Sequence, residues 1–71
     1  APGVIDSPYT RTNVSPEALA KRLERIPMGR LGAPEDCAAA VAKLVAPDMG
    51  YITGQIFYVD GGFLSAGVIV R

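Results

Sequence analysis

The sequence predicts an α/β unit that is incomplete by itself, and three stretches carry that reading. "PEALAKRLERI" places Leu19, Leu23 and Ile26 at helical spacing behind a Ser-Pro start. "CAAAVAKLV" is a second helical run, apolar on nearly every side. "QIFYV" is a β-rich run without alternation, the pattern of a strand covered on both faces. Two helices and one strand do not close a core.

The elements follow in order. Residues 1–14 read as loop: Pro2-Gly3 is a turn pair, Val4-Ile5 could end a strand, and Asp6-Ser7-Pro8 breaks the chain. Ser15 caps a helix over 16–26, Pro16 suits its first turn, and Glu17 complements the positive end of its dipole. Lys21, Arg22, Glu24 and Arg25 take the polar side, and Pro27 stops the helix. "MGRLGAPED" is a glycine-rich joint in which Arg30 can pair with Glu35 or Asp36. Pro34 then opens a helix over 34–45, with Cys37, Val41, Leu44 and Val45 expected on one face and Ala38, Ala39 and Ala42 opposite.

A helix apolar all round is buried on more than one side. Seventy-one residues cannot supply two covering layers, so an oligomer interface or a further part of the fold is expected. The strand at 55–59 ends at Asp60-Gly61-Gly62, where Asp60 is expected to order the turn through backbone bonds. That strand has no evident ladder partner in its own chain. The tail over 63–71 is apolar and calls for a partner surface.

Composition excludes several functions. Positive and negative side chains balance at 7 each, which removes the electrostatic footprint of a nucleic-acid binder. A single cysteine, Cys37, and no histidine leave neither an internal disulfide nor a zinc set. No apolar run approaches the roughly 20 residues that span a bilayer, and "APGVIDSPYT" has the features of no signal peptide. A cytoplasmic location without membrane contact is expected, with a chain that begins mid-element.

Three segments, correctly ordered, then resemble one family. "APGVIDS", "IPMGRLGAPEDCAAAVAKLVA" and "YITGQIFYVDGG" are similar to the C-terminal portion of short-chain dehydrogenases/reductases, nearest the 3-oxoacyl-carrier-protein-reductase-like branch. The resemblance covers roughly residues 1 to 63. It implies the C-terminal fragment of a doubly wound, Rossmann-type parallel sheet, with 55–59 as its last strand. It divides the chain into a nicotinamide-side loop (1–14), a lid helix (15–29), an interface helix (33–46), the strand and the tail.

The resemblance also implies what is missing. A phosphate-binding G-x-G-x-x-G and an active-site Tyr followed four places later by Lys belong to earlier parts of such enzymes, and neither occurs in this chain. No catalytic residue is therefore assigned. What remains is the nicotinamide end of NAD or NADP. By the family pattern Pro2 and Gly3 bring backbone close to the nicotinamide. Ile5 offers its backbone N–H, with its C=O as a second candidate, to the carboxamide. Ser7 stands where the family most often has Thr, and its hydroxyl would reach the carboxamide or a phosphate oxygen. One acceptor and two donors on a carboxamide match such a set. The plainer readings are a turn at Pro2-Gly3 and a loop hydroxyl at Ser7.

Residues 8–29 correspond to the family's mobile lid, with Leu19, Leu23, Ile26 and Met28 as candidate apolar lining and Tyr9 as a weak candidate for substrate contact. An ordinary loop aromatic is an equally good reading of Tyr9. The expected function is the C-terminal segment of an NAD(P)-dependent oxidoreductase that interconverts a carbonyl and a secondary alcohol, inactive alone. Its partners are the remainder of the dehydrogenase domain and further copies, as a dimer or tetramer. The alternative is a non-catalytic module that self-associates through helix 34–45 and strand 55–59.

Overall fold

Each helix opens on a proline preceded by a residue in extended backbone. The computed structural model describes residues 1–65 and contains α1 (Pro8–Asn13), α2 (Pro16–Glu24), α3 (Pro34–Leu44) and a short 3-10 turn at Pro47–Met49. Ser7 caps α1, its Oγ accepting from Thr10 N–H at 3.3 Å. Ser15 caps α2 in the same way, accepting from Ala18 N–H at 3.2 Å. Ala33 before α3 has no side-chain acceptor, and Asp36 supplies the missing half by accepting from Ala33 N–H at 2.8 Å.

Helix α1 corrects the reading of residues 1–14 as loop throughout. Thr10, Thr12 and Asn13 are weak helix formers, and a Ser-Pro pair between turn residues reads as a break. The same Ser-Pro pair correctly announces α2, so the cap was the signal for both. Helices α2 and α3 end at Glu24 and Leu44, slightly short of the expected 26 and 45. The bonds of Ile26 N–H to Leu23 C=O and Val45 N–H to Val41 C=O continue each end as a final turn before its proline.

The expected strand is corrected as well. Residues 55–58 form no strand, and Val59 alone makes a parallel bridge, to Pro2. Val59 N–H donates to Ala1 C=O at 2.9 Å and Gly3 N–H donates to Val59 C=O at 3.0 Å. The N-terminal ammonium reaches Phe57 C=O at 2.8 Å. Val59 therefore does have a partner within its own chain, contrary to the sequence expectation. A second parallel bridge joins Ile5 to Gly32, with Gly32 N–H to Val4 C=O at 3.0 Å and Asp6 N–H to Gly32 C=O at 2.7 Å. Two single rungs flank residues 1–6, and no ladder extends them. Isolated pairings are marginal without further strands beside them, and among the described residues these two rungs stand alone.

Burial is sparse. Ile26, 1% exposed, is the one fully buried apolar residue among the described residues. The Cα radius of gyration is 14.0 Å, against about 11 Å for a compact domain of this length. Ile26 sits against the Asp60–Gly62 turn, where a Cβ on Gly61 would come within 2.8 Å of Ile26 Cγ2. Gly61, at φ 64°, also meets the left-handed requirement of that turn. Met28 N–H donates to Gly61 C=O at 3.1 Å, and the Arg25 guanidinium stacks 5.1 Å from the Phe63 ring centre. The exit of α2 is thus pinned to the turn after Val59.

Helix α3 turns Asp36, Cys37, Ala40 and Leu44 partly inward. Val41 and Val45, expected to share a face with Cys37 and Leu44, are 60% and 74% exposed. Ile56, Phe57 and Tyr58 are exposed too. The tail expected over 63–71 lies outside the described residues beyond residue 65.

Candidate functional site

The loop over residues 2–7 is held from both sides by backbone. In a parallel bridge one residue of the pair spends its own N–H and C=O on the two bonds, and those of the residue it faces point away. The bonds at the second rung come from Val4 and Asp6, so Ile5 N–H and C=O face away from Gly32 and bond nothing among the described residues. Ile5 itself is half-buried, with its side chain over Gly32. One residue thus presents a donor and an acceptor side by side. A primary carboxamide offers the complementary acceptor and donors.

Pro2 and Gly3 lie on the first rung. A Cβ at Gly3 would come within 2.6 Å of Asp60 Cβ and 2.8 Å of Asp60 Cα, so only glycine permits this approach. Asp60 in turn is fixed by two backbone donors, Gly62 N–H to Oδ1 at 2.9 Å and Leu64 N–H to Oδ2 at 3.1 Å. The turn-ordering role expected of Asp60 is what the structure contains. An open hollow of about 240 Å³ lies along Pro2, Gly3, Tyr58, Asp60, Phe63 and Leu64.

Ser7 is a helix cap first. Its Oγ accepts from Thr10 N–H and donates toward Thr10 Oγ1 at 3.2 Å. This anchors the hydroxyl on the first turn of α1. Sequence reasoning missed Asp6 and Arg11, which close the loop from outside. Arg11 Nε and Nη2 donate to Asp6 Oδ1 and Oδ2 at 2.6 and 2.8 Å. The Arg11 hydrogen bonds hold the Asp6 carboxyl below its ordinary value and raise the guanidinium. A five-residue spacing of opposite charges across a Ser-Pro helix start was the available signal.

Tyr9 projects from α1 at 75% exposure. Of the expected lid lining, Ile26 packs down on Gly61, whereas Leu23 and Met28 stay exposed. The joint before α3 is set by Arg30, which chooses Asp36 over Glu35 at 2.9 Å. That hydrogen bond, followed by the one from Ala33 N–H, lowers the Asp36 pKa. Among the described residues no group of His, Cys, Asp and Glu could hold a metal, and no helix is long and apolar enough to cross a membrane.

Residues 1–64 match the family model described as enoyl-(acyl carrier protein) reductase. The chain is 46% identical over 63 residues to 3beta-hydroxysteroid dehydrogenase 1 of Eggerthella lenta, covering 87% of this chain and 24% of that protein. It is 39% identical over 64 residues to the 3-oxoacyl-(acyl-carrier-protein) reductase FabG of Thermotoga maritima, covering 90% and 26%. Among solved structures it matches a putative 2-deoxy-d-gluconate 3-dehydrogenase from Agrobacterium tumefaciens with bound NADP. The TM-score there is 0.82 at 42% identity, over 93% of this chain and 27% of that one. The chain spans about a quarter of the length of the curated relatives it matches. With the loop over residues 2–7, the joint before α3 and the Asp60–Gly62 turn all inside the matched range, the chain belongs to the short-chain dehydrogenase/reductase family.

Proposed function

We propose that this chain is the part of an NAD(P)-dependent oxidoreductase that holds the nicotinamide end of the cofactor. The complete enzyme interconverts a carbonyl and a secondary alcohol. The observation that carries the reading is the donor–acceptor pair of Ile5, left unused where backbone on both sides is engaged. The relatives, named as dehydrogenases and reductases and in one case bound to NADP, support the same class.

The cofactor, when bound, would supply or accept the hydride. This chain's residues would orient it. Ile5 N–H would donate to the carboxamide oxygen, and Ile5 C=O would accept from its NH₂. Ser7 Oγ lies within the same loop as a further polar group, while its cap on Thr10 limits how far it swings. Pro2 and Gly3 bring the backbone in without side-chain bulk. Helices α1 and α2 form the movable cover, with Leu23 and Met28 as apolar surface that excludes water on closing. Tyr9, exposed on α1, is the candidate for substrate contact from that cover. The proton-transfer residues lie outside these 71 residues.

The exposed apolar side chains of Val41 and Val45 on α3 and of Ile56, Phe57 and Tyr58 favour association with the remaining domain and with further copies, as a dimer or tetramer. A purely self-associating module rests on the same side chains and leaves the Ile5 geometry without a use.

Substitution in a complete enzyme carrying this segment tests the reading. Ser7→Thr retains hydroxyl and cap and keeps cofactor KM. Ser7→Ala weakens cofactor binding by about 0.5–1.5 kcal/mol. Unchanged kinetics in Ser7→Ala and in Ile5→Pro together would remove the nicotinamide role.

A further inference from the structure

We infer that Asp60 is a positioning residue for the nicotinamide end, acting through Gly3. The inference rests on the proposed role of the 2–7 loop and adds a residue that touches no cofactor. Both carboxylate oxygens of Asp60 are committed to its own turn, to Gly62 N–H and Leu64 N–H. That commitment fixes Asp60 Cα and Cβ, and these two atoms are the floor on which Gly3 lies. Gly3 is held onto that floor by the Val59 carbonyl at 3.0 Å, and Val59 N–H is held by Ala1 C=O. Two residues beyond Gly3 is Ile5, whose N–H and C=O are the proposed carboxamide partners. A shift of Asp60 therefore moves the rung that sets where Ile5 stands.

The same turn receives the exit of α2. Ile26 packs on Gly61, Pro27 packs on Gly62, and Met28 N–H bonds Gly61 C=O. Loop and cover share one floor, and Asp60 holds it. Its carboxylate provides the two acceptors the turn needs; an asparagine provides one, and an alanine none.

The test compares two ligands in a complete dehydrogenase carrying this segment. One is the reduced dinucleotide the enzyme uses; the other is ADP-ribose, or its 2′-phosphate, which lacks the nicotinamide. Asp60→Ala weakens the dinucleotide on the order of fivefold to tenfold and leaves ADP-ribose affinity unchanged. Asp60→Asn gives the same selective loss to a smaller degree, and it carries the test should the alanine variant not fold. Equal loss for both ligands, or no loss for either, overturns the inference. Ile5→Pro under the same titrations separates the two levels. A selective loss there with none at Asp60 overturns the positioning role alone; no selective loss at Ile5 overturns the nicotinamide reading and the inference with it.

Discussion

Asp6 and Arg11 form a two-point clasp across the start of α1, with Nε to Oδ1 at 2.6 Å and Nη2 to Oδ2 at 2.8 Å. Planar fork meets planar carboxylate, the geometry in which arginine and lysine are least interchangeable. The clasp spans Ser7 and so ties the loop over residues 2–7 to α1.

The clasp has a defined pH range. The Arg11 hydrogen bonds depress the folded pKa of Asp6, so their contribution is complete above the unfolded value of about 3.9. It is lost as pH falls through the lower folded value. Carboxyl NMR titration of a folded protein carrying this segment finds Asp6 titrating below an ordinary aspartate. Arg11→Ala returns it to the ordinary range. Both groups are exposed, so the stability change is small; an Asp6 midpoint unmoved by Arg11→Ala contradicts the clasp.

Gly61 combines a left-handed backbone, φ 64°, with a contact that a Cβ would close to 2.8 Å from Ile26 Cγ2. Gly61→Ala costs about 1–3 kcal/mol in a complete enzyme, from backbone strain and overpacking. Denaturant melting checks this through a lower midpoint at unchanged slope. A midpoint equal to the parent's would mean that the exit of α2 is not seated on this turn.

The helices were legible in the sequence because their causes are local. Ser15-Pro16 and Pro34-Glu35-Asp36 are start signals, and Pro27 and Pro47 are stops. Helix α1 carried the same Ser-Pro signal beneath residues of poor propensity, so it read as loop. Residues 55–59 carry strand composition, yet composition supplies no partner, and only Val59 finds one. Pro2, Gly3, Ile5 and Ser7 are candidates through the family resemblance alone. They share one loop by sequence, and backbone bonds from Val59 and Gly32 hold it. The contacts that fix this loop, Gly3 on Asp60 and Asp6 on Arg11, join residues 57 and 5 apart in sequence. The first is a long-range packing relation with no local pattern; the second had a charge spacing that went unread.

The isolated 71-residue chain is expected neither to bind NAD(H) or NADP(H) nor to melt cooperatively as a monomer. One fully buried side chain, Ile26, among the described residues cannot offset the entropy of ordering the chain. The pyrophosphate-binding turn is absent from the sequence. Calorimetry and sedimentation test this together; micromolar cofactor binding, or a compact two-state monomer, contradicts it. In a complete enzyme that associates through α3 as proposed, Val41→Glu is expected to dissociate the copies, because a charge would enter an apolar contact, and an unchanged sedimentation coefficient would release α3 from that role.

Hydrogen exchange at the Ile5 amide tests the central claim most directly. That N–H bonds nothing among the described residues, although backbone on both sides of it is engaged. In a complete enzyme carrying this segment, Ile5 exchanges rapidly without ligand and equally rapidly with ADP-ribose or its 2′-phosphate. It slows by on the order of tenfold or more when the nicotinamide dinucleotide is bound, since the amide then has an acceptor and is shielded from water. Protection by the dinucleotide alone is the predicted result. An Ile5 amide that exchanges at one rate in all three states, or is protected equally by the ligand without nicotinamide, contradicts the account.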